Sequence, residues 1–168
     1  MEQLIEKLDS YKILNNLLPG FILAYLFEFS MGIVISQGKI IENLLIYYFL
    51  GMIVNRIGSV IVEPLCKKAK LVKYADYGDY IKASKKDEKI DVLSETNNMY
   101  RTILAALLIV MIAKIGIKIL PEVVLDYSSF AVIVILGVLF LVSYRKQTDY
   151  IAKRVRKTLE MEDENEHS

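Results

Sequence analysis

Three ionisable residues stand inside long apolar stretches of this chain: Glu28, Arg56 and Lys114. Counted from the inner end of each stretch, Glu28 lies 11 residues beyond Leu17, Arg56 10 before Cys66 and Lys114 12 beyond Thr102. A helical rise of about 1.5 Å per residue then places all three roughly 15–18 Å deep, near the middle of a bilayer. A charge at that depth costs several kcal/mol unless it is paired or wetted. A shared depth is what a compensating cluster needs, and Asn55 beside Arg56 adds a donor and an acceptor. Two chemistries fit. The cluster is polar glue fixing helix register, or it lines a hydrated pathway for ions or protons. Two cations against one acid would suit an anion-attracting lumen, although lysine deprotonation would also remove the mismatch.

The elements that must position these residues are helices. Hydrophobic residues make up 54% of the 168-residue chain, mean hydropathy is +0.37, and the apolar residues are gathered into windows at 17–36, 44–66, 102–120 and 127–144. Each approaches the roughly 20 residues needed to span the hydrocarbon. The expected fold is all-α: an integral membrane protein of four helices, as hairpins over 17–66 and 102–144. Residues 1–16 are expected to form an amphipathic N-terminal helix, because Leu4, Ile5, Leu8 and Tyr11 recur at helical spacing among charged residues. Pro19-Gly20 should break or kink the path into the first span. Gly20, Ala24, Glu28, Gly32 and Ser36 recur every four residues, so Glu28 interrupts a stripe of small residues suited to close helix approach. Gly51, Asn55, Gly58 and Ser59 make a similar face on the second span.

Residues 67–101 form the one long connection, expected to be helical and cytoplasmic. Up to Asn98 it holds eight lysines and six acids, too polar for a core of its own. Tyr74, Tyr77 and Tyr80 recur every three residues; near a membrane such tyrosines anchor at headgroup level, and stacking on nucleic-acid bases is the sharper alternative. The tail, 145–168, is basic and then acidic, and its acidic end is expected to be disordered. The long connection carries eight cations and the C-terminal flank six, while the opposite side has Lys39 alone between the first two spans. That bias places both termini inside, in a bacterial cytoplasmic membrane. The cations nearest the inner surface, Lys67, Lys68, Lys70, Lys73, Arg154, Arg156 and Lys157, are candidate contacts for anionic lipid or an anionic ligand.

One cysteine (Cys66) and one histidine (His167) exclude a disulfide framework and a zinc-finger site. The acidic N-terminus lacks a basic leader, so no removable signal peptide is expected. There is no phosphate-cradling glycine loop, no metal-ligand cluster and no serine elbow. Neither enzymatic activity nor a cofactor is expected.

The segments Tyr11-Lys-Ile-Leu-Asn-Asn-Leu-Leu-Pro-Gly20, Tyr47-Tyr-Phe-Leu-Gly-Met-Ile-Val-Asn-Arg-Ile-Gly-Ser59 and Leu93-Ser-Glu-Thr-Asn-Asn98 together resemble small four-helix bacterial membrane proteins of anti-phage defence neighbourhoods. Membrane effectors of that kind, including the Hailong type, are similar in size and helix count. The resemblance implies a homo-oligomeric ion channel or membrane-perturbing effector, controlled from the cytoplasm by a nucleotide or DNA-oligomer signal. It supplies no ligand residues. The reading from another class is a non-conducting membrane scaffold whose loop and tail dock a cytoplasmic partner protein.

Overall fold

The structure is a computed structural model. It describes the backbone of residues 2–36, 38–87, 89–119 and 128–166, and the side chains of 13–36, 38–87, 89–117, 119 and 132–157. Every regular element among them is helical: α1 (Glu2–Met31), α2 (Ile40–Ile57), a π-helical turn (Gly58–Val62), α3 (Glu63–Lys68), α4 (Tyr77–Lys86), α5 (Lys89–Ile119) and α6 (Ser128–Glu166). Three stretches are long and apolar enough to cross a membrane: Ile13–Met31, Ile40–Lys68 and Lys89–Ile117. The fourth expected window begins on residues outside the described set; its remainder forms the first part of α6. The side chains of the expected N-terminal amphipathic helix, like those of the acidic tail, also lie outside the described residues.

The expected break at Pro19-Gly20 does not occur, because α1 runs through it without interruption. Proline removes one amide donor and crowds the turn before it, yet Pro19 is fully buried and held in place by packing. The neighbouring glycine explains how. A Cβ on Gly20 would lie 1.7 Å from the Tyr47 carbonyl oxygen, and one on Gly51 would lie 1.7 Å from that of Asn16. The backbones of α1 and α2 therefore touch at a crossing that only glycine permits on both sides. α1 ends at Gly32, whose φ of +69° is the left-handed geometry that favours glycine at a helix C-terminus.

α2, the π turn and α3 form one continuous helical path, since the junction residues Ile57, Gly58, Val62 and Glu63 all keep right-handed helical backbone. Lys70, at φ 57°, terminates it; the Leu71 amide donates back to Cys66 O at 2.9 Å and the Lys70 amide to Lys67 O at 3.1 Å. α4 starts at Asp76, whose side chain accepts the Gly78 amide at 2.8 Å. It buries Ile81 completely. Asp87 then accepts the Lys89 amide at 3.0 Å, opening α5, which continues from the polar connection into the third apolar stretch.

The core lies among α1, α2, the π turn and α5, and its residues are small: Leu23, Val54, Val62, Ala105, Ala106 and Val110. α6 lies against α2 and the π turn, with Leu139 and Ser143 turned inward. Only 28, 22 and 22% of the most apolar windows of the three long stretches is buried within the chain. Side chains such as Phe29, Ile41 and Ile112 face outward instead. An apolar exterior over a core of small residues is the arrangement that lipid favours, since hydrocarbon gives helices no reason to hide their leucines.

Candidate functional site: a polar network on a buried glutamate

The helices converge on one carboxylate. Glu63, the first residue of α3, has a side chain 7% exposed. Its Oε1 accepts Lys67 Nζ from the next turn at 2.8 Å, and its Oε2 accepts Arg101 Nη1 from α5 at 2.7 Å. Lys146 of α6 places its Nζ 3.8 Å from the same Oε2. Arg101 Nη2 also donates to Asn55 Oδ1 at 3.0 Å, and Asn55 Nδ2 donates to Asn16 Oδ1 at 3.2 Å. One residue earlier on α1, Asn15 donates to Glu95 Oε2 at 2.7 Å and to the Glu95 carbonyl at 3.2 Å. Hydrogen bonds and ion pairs thus tie all four long helical paths together, at the end of the bundle where α1 enters its apolar stretch.

The π turn supplies a further contact. In α register the Glu63 amide would serve the Ser59 carbonyl, but it reaches one residue further back, to Gly58 O. In π register the donor to Ser59 would come from residue 64, which is proline and has no amide. The Ser59 carbonyl is therefore left over. Lys146 fills the gap: its ammonium donates to Ser59 O at 2.5 Å and to Ser59 Oγ at 2.9 Å. A backbone defect on one helix becomes the binding point for a cation from another.

Burial pushes the Lys146 ammonium below its ordinary range. Glu63 opposes that shift, while the positive charges of Arg101, Lys67 and Arg56 add to it. The network is overcharged, with one carboxylate facing three cations. Tyrosines border it. Lys67 Nζ sits 4.1 Å from the centre of the Tyr74 ring, Lys146 Nζ 5.8 Å from that of Tyr150, and Tyr150 packs on Tyr77 at 6.1 Å. Beyond them, Tyr80 donates to Asp91 at 2.9 Å, and burial raises its hydroxyl above the ordinary tyrosine range. Such an arrangement can fix helix register and bind anions at its cationic edge. Among the described residues no three His, Cys, Asp or Glu side chains are grouped as metal ligands.

The structure does not bring Glu28, Arg56 and Lys114 together within one chain. The Asn16–Asn55 bond sets the register of α1 against α2. Glu28 lies 12 residues beyond Asn16 in one direction, and Arg56 one residue beyond Asn55 in the other. At 1.5 Å per residue the two are about 20 Å apart along the bundle, not level. Arg56 is half-buried beside the network, whereas Glu28 and Lys114 are exposed on the apolar exterior. Of the small residues, Gly20 and Gly51 form the crossing, Gly58 lies 3.5 Å from Arg101 O by its notional Cβ, and Ala24 is buried. Gly32 ends α1, and Ser59 holds Lys146. Of the surface cations, Lys67 belongs to the network and the Lys157 stem lies against Gly78, while Lys68, Lys70, Lys73, Arg154 and Arg156 are exposed.

Glu63, Arg101, Lys146 and Glu95 are the residues that depth counting passed over. Each lies near an end of its apolar stretch, where a charge reads as a boundary mark. The signal available was Glu63-Pro64, an acid followed by a helix-interior proline inside an apolar window. No family model, curated protein or solved structure matches this chain.

Proposed function

We propose that the protein is a homo-oligomeric membrane effector of bacterial anti-phage defence that conducts ions between its subunits. In this reading the first part of α6 is the fourth span, both termini are cytoplasmic, and gating acts from the network end. One observation carries it. Among the described residues, Leu23, Val54, Ala105, Ala106 and Val110 pack the interior of a single chain, and the Glu63 network closes one end of it. That packing among the described residues favours a pathway between subunits over one inside a single chain, and Glu28 and Lys114 remain on the apolar exterior where other subunits would meet. The exposed cations Lys68, Lys70, Lys73, Arg154 and Arg156 would gather anionic lipid or an anionic ligand such as a nucleotide or short DNA at the inner surface.

The test is the mass of the complex in nanodiscs, joined to ion flux from vesicles with and without nucleotides or short DNA oligomers. A multimer that conducts supports the reading. A multimer that conducts under no ligand or voltage moves the assignment to a scaffold for a cytoplasmic partner, and a monomer overturns both the pore and the assembly.

A further inference from the structure

Two opposite charges are left on the outside of the apolar length. Glu28 on α1 and Lys114 on α5 are exposed, and neither side chain has a hydrogen bond or ion pair to any described residue. α1 and α5 run in the same direction from the network end. The Asn15–Glu95 bond sets their register, with Glu28 13 residues beyond Asn15 and Lys114 19 beyond Glu95. Their levels thus differ by about 9 Å at 1.5 Å per residue. A helical lysine leans toward the N-terminus of its helix, which here is toward the level of Glu28. Measured from the network end, Glu28 lies about 20 Å and Lys114 about 28 Å along, so Glu28 stands inside a roughly 30 Å hydrocarbon layer and Lys114 towards its far side.

Their surroundings are suited to contact. Phe21, Tyr25 and Phe29 form a ladder of stacked rings at 6.2 and 6.1 Å beside Glu28. Tyr25 is 56% and Phe29 78% exposed, as are Met111 (60%) and Ile115 (56%) beside Lys114. Two surfaces of one chain are thus apolar and adjacent to opposite charges. Glu28 of one copy can meet Lys114 of another either twice across a two-fold axis or once at each contact of a closed head-to-tail ring.

Resting on the homo-oligomer reading above, we infer that Glu28 of one chain pairs with Lys114 of the next, across an interface between the aromatic face of α1 and the Met111–Ile115 side of α5. The occupant of the exposed face is a second copy of this chain.

Charge reversal tests the pairing directly. The full-length protein is purified in nanodiscs as wild type, Glu28→Lys, Lys114→Glu and the double variant, and each is weighed by native mass spectrometry. Either single reversal shifts the population to monomer, and the double variant restores the wild-type mass. Single variants with the wild-type mass, or a double variant that stays dissociated, overturn the pairing. Thiol cross-linking in native membranes tests it even where a reversal blocks insertion. Two differently tagged chains, both with Cys66→Ser, carry Glu28→Cys and Lys114→Cys respectively, and a short bis-thiol reagent should join them. An intact multimer without that cross-link overturns this interface and leaves the assembly standing. A monomeric wild type removes both.

Discussion

Replacing Glu63 with alanine removes the one negative charge facing three cations, and its cost can be worked from the exposure of each partner. Lys67 is 44% exposed and can turn its ammonium to water, so its pairing contributes no more than about 1 kcal/mol. Arg101 and Lys146, at 15% and 28%, cannot turn away as easily. They keep Asn55 and Ser59 as hydrogen-bond partners, but lose the one carboxylate that balances them. Breaking a buried ion pair from one side costs about 3–5 kcal/mol. Glu63→Ala should fall in that range, and Glu63→Gln, which keeps the shape and an acceptor, near its lower end. Removing all three charges as Glu63→Leu, Arg101→Met and Lys146→Met should recover most of the loss, since apolar replacement of a whole buried pair is often neutral. The assay is reversible unfolding by SDS in mixed micelles, compared across the four proteins, Lys67→Met and Lys146→Met. A loss below about 1 kcal/mol for Glu63→Ala would refute the claim that this carboxylate balances the network. So would a Lys67→Met variant as damaging as Lys146→Met.

Other consequences can be measured on the same preparation. Gly51→Ala puts a Cβ 1.7 Å from the Asn16 carbonyl oxygen, and backbone cannot yield cheaply; it should destabilise by about 1–3 kcal/mol or more, against little change for the exposed Gly38→Ala. Burial lets Tyr80 keep its proton above the ordinary tyrosine pKa of about 10, near which the unfolded chain releases its own. Its stabilising contribution is therefore complete below pH 10 and lost as pH rises through the raised value, and Tyr80→Phe should flatten the alkaline limb of a stability–pH curve. For orientation, a cysteine at Gly38 should react with an impermeant maleimide from outside intact cells, and one at Ser84 only after permeabilisation. The reverse pattern would invert the topology.

The helical class, the three apolar stretches and the closeness of the α1–α2 crossing were legible because each is written locally, in runs of apolar residues and in glycines at helical spacing. The continuity of α1 through Pro19 was not. Proline's local penalty argues for a break, and what overrides it is tertiary: full burial of the ring beside a glycine that admits a second backbone. The three midplane charges do not meet within one chain for a related reason. Depth was counted from the ends of apolar windows, as though every helix began at the same membrane surface. α2, the π turn and α3 instead run 29 residues as one apolar stretch, about 43 Å, longer than a bilayer core requires. Its register is set by Gly20, Gly51 and the Asn16–Asn55 bond. Sliding one helix along another moves Arg56 away from Glu28 without altering a single window.

Prolines also decide where the polar network forms, and this leads to the sharpest test of its construction. If Lys146 is held because Pro64 cannot serve the Ser59 carbonyl, its hold should weaken when residue 64 regains an amide. Pro64→Ala supplies that amide, and the Ser59 carbonyl can then be satisfied within its own helix. Leaving a buried acceptor without a partner costs about 1–3 kcal/mol. Lys146→Met should carry that penalty in the wild-type background and lose it in the Pro64→Ala background, leaving only its charge interaction with Glu63. The double-mutant cycle between residues 64 and 146 should therefore show a coupling of about 1–3 kcal/mol, although neither side chain needs to touch the other. Strict additivity would mean that Lys146 is held by Glu63 alone, and that the π turn merely accommodates the proline ring. Coupling would make the missing amide of Pro64 the reason that α6 docks where it does.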